Sequence, residues 1–163
     1  PEVISDTIAR VRAGAESENR NPDDVEVWFT TRSSLDEDRD KAIRGIHASV
    51  SSILNHSMRF GLDNKNVPTQ FRNKIQEYVE GYELYDHVLE GGRNPRRMAD
   101  LGLTDYALER YALAGDSNDW IERIGAMADA GATNLWISVE RGDIERQIHY
   151  MKLFGEEILP KFQ

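Results

Sequence analysis

The side chains whose types and places suit chemistry are few. Thr30, Thr31, Arg32 and Ser33 form a run of hydroxyls around one cation, at the end of a β-branched and aromatic segment. A guanidinium fixed there can face a phosphate or an acidic substrate, or it can remain a solvated loop cation beside an acidic helix start. His87 carries an imidazole, suited to orienting a substrate or relaying a proton; its place at a helix terminus explains it equally well. Glu83 with His87, and Glu145 with His149, share helix faces at i, i+4 but lack a third ligand, so they read as surface ion pairs rather than a metal site. The acidic run Asp36-Glu37-Asp38-Asp40 lacks the alternation of a calcium loop. Gly91-Gly92 is not G-x-G-x-x-G, and neither a P-loop nor G-x-S-x-G occurs. Arg93, Arg96 and Arg97 form a small basic cluster around Pro95, either anion-binding or solvated, and Trp28 and Trp136 read as core residues before they read as stacking platforms.

The elements that must position these groups follow from composition and period. The chain has 163 residues and a net charge of −9, enough for one domain with a real core. Its acidity argues against generic binding to nucleic acid or anionic membranes, which needs clustered Lys and Arg. Without Cys there is no disulfide, thiol catalysis or thiolate metal site. No apolar run approaches the roughly 20 residues of a membrane span, and the amphipathic start PEVISDTIARVRAGAE has no apolar signal region, so a cytoplasmic location is expected. Opening inside a helix without Met, the chain can be read either as a fragment of a larger protein or as a natural short protein.

A helix is expected over residues 1–17, with Ile4, Ile8 and Val11 on one face. A strand is expected at about 25–32, alternating Val25, Val27 and Phe29 against Trp28 and Thr30. Ser34 with Glu37 reads as a capping box for a helix through Ile46, Val50 and Leu54 to about Met58. Further helices are expected at about 69–87 and 104–113, with the Gly91–Pro95 stretch as a break. Ser117 or Asn118 caps the next helix, residues 134–139 form a second strand, and Asp143 caps a last helix presenting Ile144, Ile148, Met151 and Ile158. Helix–strand alternation implies parallel strands covered by helices. Two strands make too small a sheet, so the fold class expected is α/β: the C-terminal part of a (β/α)8 TIM barrel, with two parallel strands and a long helical insertion (about 33–115) between them. The whole chain, 1–163, is then a single partial domain closed by a helix-strand-helix unit at about 117–160.

Four stretches carry a resemblance. Arg20-Asn21-Pro22-Asp23-Asp24-Val25-Glu26-Val27-Trp28 resembles the lead-in to the seventh strand of luciferase-like monooxygenases. The segment 112–124 (ALAGDSNDWIERI), the segment 128–138 (ADAGATNLWIS) and the terminal EEILPKF are similar to later parts of that family, in the right order. The long insertion looks most like proteins related to methylenetetrahydromethanopterin reductase. The resemblance implies a flavin- or deazaflavin-dependent oxidoreductase or monooxygenase, which transfers a hydride or oxygenates an organic substrate. It implies the deazaflavin coenzyme (F-420) or FMN as cofactor of the full-length parent, and a small organic molecule as substrate. His87 lies where members often carry YxxxH near the pocket, which makes it the catalytic candidate; Thr31 and Arg32 become the cofactor-binding candidates at the pocket rim. The cofactor-phosphate loops of the family precede the seventh strand, so the chain alone is expected to be inactive and poorly stable, completed by the missing N-terminal half of the barrel or by self-association. The alternative is a non-catalytic helical or half-barrel interaction domain.

Overall fold

In the computed structural model, residues 2–87, 89, 91–138 and 143–163 are described. Seven α-helices and three strands follow one another among them: α1 (Glu2–Ser17), β1 (Trp28–Leu35), α2 (Arg39–Met58), α3 (Thr69–Glu80), α4 (Arg93–Asp100), α5 (Thr104–Tyr111), β2 (Ala112–Gly115), α6 (Ser117–Asp129), β3 (Asn134–Ser138) and α7 (Ile144–Leu153). The sheet is parallel, in the order β2-β1-β3. The two strands expected from sequence are neighbours, with Thr30 opposite Trp136 and Arg32 opposite Ser138. The third, β2, replaces the expected end of a helix at Leu113, and lies on the far edge of β1 with Arg32 opposite Ala112. Consecutive barrel strands lie side by side in chain order; here the first strand lies between the other two.

Each sheet face has its own apolar core. On one, Leu35, Leu113, Leu135 and Ile137 meet Trp120 and Ile124 of α6 and Tyr150 and Leu153 of α7. Trp120 stacks edge-on against Tyr150 and Phe154, and its indole N–H donates to the Ser34 carbonyl at 3.2 Å. On the other, Ala112 and Ala114 lie against the stripe Ile46, Val50, Leu54 and Met58 of α2, whose spacing of four keeps them on one side of the helix. That stripe also gathers Ile75 and Tyr78 of α3, Met98 of α4, and Leu103 and Ala107, so the insertion between β1 and β2 has a helical core of its own.

Several local expectations change for identifiable reasons. β1 begins three residues later than expected and runs on to Leu35, because the backbone of Ser33 and Ser34 pairs with Leu113 and Ala114. Ser34 is therefore a buried strand residue, and the cap of α2 is Asp38, whose carboxylate accepts from the Lys41 N–H. Asp116, not Ser117 or Asn118, caps α6 in a reciprocal box with Asp119. Pro95, expected within a break, sits in the first turn of α4, where its missing N–H costs no hydrogen bond. On α7 the buried residues are Tyr150 and Leu153, while the expected apolar stripe Ile144, Ile148 and Met151 faces outward. Trp28 and Trp136, expected in the core, are 59% and 67% exposed, because the helices packed on their sheet face cover β2 and the Ser34 end of β1 and leave the rest of it open. Pro1 and Val139 lie outside the described residues.

One buried amide holds the insertion together. Asn94 is fully enclosed; its side chain accepts from the Glu83 N–H at 2.9 Å and donates to the Glu83 carbonyl at 2.8 Å, standing in for a paired backbone. Asn94→Ala leaves both Glu83 groups without partners and is expected to cost about 2 kcal/mol in a urea melt. A cost indistinguishable from zero would show that water replaces the amide freely.

Candidate functional site

The C-terminal ends of parallel strands are where α/β folds place reactive groups. β1 ends one residue before Asp36, which is buried and pairs with Lys41 Nζ at 2.5 Å while accepting from the Asp38 N–H at 3.1 Å. Burial opposes its ionisation, but the Lys41 hydrogen bond and charge, the Asp38 N–H and the nearby Arg146 outweigh it and hold the carboxyl below its ordinary range. Glu37, next along, accepts from or shares a proton with His149 Nε2 at 2.8 Å. At the end of β2, Gly115 adopts φ +138°, and a Cβ there would lie 2.2 Å from a carboxylate oxygen of Asp119. That carboxylate also binds Arg39 Nε at 2.9 Å. Acids paired with bases therefore rim this edge of the sheet.

The residues singled out from the sequence separate in space. Thr31 and Arg32 are adjacent in β1, so alternation points them to opposite faces. The Thr31 side chain is buried on the face covered by α6 and α7, and its hydroxyl has no partner among the described residues. Arg32 is exposed on the other face, with Trp28, Thr30 and Trp136 on the same side. It also lies within the strand rather than at its end, because β1 continues three residues further.

His87 lies in the insertion, just after the short helical turn Leu84–Asp86. Its two ring nitrogens bridge Ser52 Oγ on α2 (3.0 Å from Nε2) and Tyr82 OH (2.8 Å from Nδ1). In either neutral tautomer one nitrogen donates and the other accepts, so the three groups form a continuous hydroxyl–imidazole–hydroxyl chain. Burial pushes the Tyr82 phenol upward, against the hydrogen bond from its contact with Ser52, which keeps the phenol protonated and able to donate. The helical pairs expected for the histidines do not form. His87 bonds Ser52 and Tyr82 rather than Glu83, and His149 reaches across to Glu37 rather than to Glu145.

A basic groove is the feature that the sequence reading missed. Between α2, α4 and α7 a groove of about 500 Å³ is lined by Lys41, Arg44 and His47 of α2, Arg96 of α4, and Arg146 of α7. Arg44, Ala48 and Ser52 recur every four residues along α2, so the groove and the His87 chain lie along one stripe of that helix. Of the expected basic cluster only Arg96 lines this groove. Arg93 approaches Asp86 (3.9 Å), and Arg97 donates to the Glu77 carbonyl at 2.8 Å. The signal in sequence was Lys41 and Arg44 one turn apart, but nothing local revealed that α4 and α7 would meet them. Among the described residues no group of three His, Cys, Asp or Glu side chains is placed to hold a metal, and no helix is long and apolar enough to cross a membrane.

Comparison with known proteins gives a consistent picture. A family profile described as luciferase-like monooxygenase matches residues 1–134. The 5,10-methylenetetrahydromethanopterin reductase of Methanopyrus kandleri is 26% identical over 165 aligned positions, covering all of this chain and 43% of that protein. The F420-dependent glucose-6-phosphate dehydrogenase of Nakamurella multipartita is 21% identical over 164 positions, covering all of this chain and 40% of that protein. Among solved structures, the coenzyme F420 dependent tetrahydromethanopterin reductase from M. kandleri superposes with a TM-score of 0.67 at 25% identity, over 98% of this chain and 42% of that one. The chain thus spans less than half the length of the relatives it matches. An α/β arrangement that superposes end to end on part of a deazaflavin-dependent reductase, together with a profile match over most of its residues, places this chain in the luciferase-like monooxygenase family.

Proposed function

We propose that this chain is the C-terminal part of a deazaflavin-dependent oxidoreductase that transfers a hydride between coenzyme F420 and a small organic substrate. The observation that carries the reading is the superposition over nearly the whole chain on a reductase described as coenzyme F420 dependent. The exposed sheet face fits such a group: Trp28 and Trp136 are diagonal neighbours there, beside Thr30 and the Arg32 cation. Two aromatic surfaces and a fixed charge suit a flat, electron-rich heteroaromatic ring. When bound, the coenzyme supplies the hydride. Arg32 faces developing negative charge, Trp28 and Trp136 exclude water from one side of the ring, and His87 holds a proton between Ser52 and Tyr82.

The test uses the full-length protein carrying this chain, with reduced F420 or reduced FMN plus oxygen as alternative co-substrates. Turnover with reduced F420, seen as return of the oxidised deazaflavin absorbance, is the expected result; turnover only with FMN and oxygen would overturn the reading in favour of a monooxygenase. In the same protein Arg32→Ala and His87→Ala are each expected to lower kcat/KM by about tenfold or more with little change in Tm. His149→Ala removes only an exposed pair with Glu37 and is expected to leave both Tm and turnover unchanged. Unchanged kinetics in both Arg32 and His87 variants would return those residues to a structural role.

A further inference from the structure

We propose that the groove between α2, α4 and α7 is a binding site for a dianionic phosphoryl group. Lys41 and Arg44 enter from α2, Arg96 from α4 and Arg146 from α7, so permanent positive charges converge from three separate elements on one cavity. In a chain of net charge −9 such convergence is not a by-product of composition. Like charges brought together in a partly enclosed space repel, and an anion among them reverses that cost. At its edge Asp36 pairs with Lys41 and also feels the Arg146 charge, so the balance of positive charge in the groove rests on Arg44 and Arg96. Arg44 has no ion pair among the described residues. Arg96 directs its Nε and one terminal nitrogen to the Gly91 carbonyl, which fixes the guanidinium and leaves its other terminal nitrogen as a donor.

A second observation points to a ligand. His47 lines the groove, and its Nε2 is buried with no hydrogen-bond partner among the described residues, an arrangement that folded proteins ordinarily avoid. Burial first, and the Arg44 charge second, hold this imidazole below its ordinary pKa. Lys41, Arg44, Arg96 and Arg146 all face the same cavity and favour the neutral ring until an anion enters.

The geometry also selects the class of anion. A planar carboxylate is satisfied by one guanidinium fork, whereas donors arriving from three sides match the tetrahedral oxygens of a phosphoryl group. A partly open groove of this size in an acidic chain suits a small ligand rather than a nucleic-acid backbone. The phosphoryl group can be free or the ester end of a larger molecule; its double charge is common to both.

The experiment titrates the full-length protein carrying this chain with inorganic phosphate, phenyl phosphate and dimethyl phosphate. Binding is read by calorimetry and by the His47 ring signals in a carbon–proton correlation spectrum. Saturable binding of phosphate is expected, and phenyl phosphate binding as well identifies an ester-tolerant site while its failure restricts the site to the free ion. Dimethyl phosphate, a monoanion, is expected to bind at least about tenfold more weakly, and the His47 signals to move with the same midpoint as the heat. Arg44→Gln and Arg96→Gln are each expected to weaken phosphate binding by about tenfold, whereas Arg72→Gln, which pairs with Asp63 elsewhere, leaves it unchanged. No saturable binding, equal binding of the diester, or His47 signals that stay still while heat saturates would each overturn the site. These three results are read on the unaltered protein, so they stand even where a variant fails to fold.

Discussion

Trp120→Ala is expected to remove most of the stability of this protein. The indole is fully buried, packs edge-on against Tyr150 and Phe154, and joins the sheet to α6 through its N–H bond to the Ser34 carbonyl. Truncating a Trp in such a position costs about 3–5 kcal/mol, against a total of about 5–15 for an ordinary domain. Trp120→Phe keeps most of the packing and loses the hydrogen bond, for about 1–2 kcal/mol. Urea melts of the two variants beside the parent decide the matter. If Trp120→Ala costs less than 1 kcal/mol, α6 is not fastened to the sheet in the way described.

The second large effect concerns the uncovered surfaces. Trp28 and Trp136 share one open sheet face, and Ile144, Ile148 and Met151 form an outward stripe on α7. Contiguous apolar area of this kind seeks cover, and β3 adds a strand edge with no partner among the described residues. The 163-residue polypeptide on its own is expected to self-associate, with a melting temperature that rises with concentration. Trp28→Thr with Trp136→Thr is expected to weaken that association at least tenfold, since burying each indole contributes about 2 kcal/mol or more. Sedimentation velocity over a hundredfold concentration range checks this; a monomer at every concentration would count against an interface on this face.

How far the sequence could be read depended on whether a signal was local. α1, the body of α2, β3 and the Asp143 cap of α7 were legible because period and capping residues lie within a few positions of one another. β2 was not. Ala112, Leu113 and Ala114 favour helix by propensity, and only pairing with Arg32–Leu35, together with contact with α2, makes them a strand. The same tertiary contact moved the end of β1 past Ser33 and Ser34, residues that read locally as a helix cap. Trp28 and Trp136 show the opposite failure: composition placed them inside, and the faces left open by the three strands place them outside. For the site, His87 was recognisable by type, but its partners Ser52 and Tyr82 lie on other elements, and the basic groove draws on three helices whose meeting no spacing rule announces.

The strand order also governs how such a chain comes to be folded. Of the three described strands β1 comes first in the chain yet lies between the other two, and its bonds reach far along the chain: Ser138 Oγ donates to the Thr31 carbonyl 107 residues away. Closing so long a loop adds little to the equilibrium cost, since each doubling of length is worth only about 0.6 kcal/mol, but it slows the search considerably. Meanwhile α2 to α5 can collect around their own apolar stripe as soon as they leave the ribosome. During that interval β1 lacks the pairing that β2 and β3 later give it, and the helical cluster on α2 covers one of its faces until Ala112 and then Asn134 arrive. The long insertion is thereby expected to limit mispairing of the nascent strand as well as to line the groove of the finished protein.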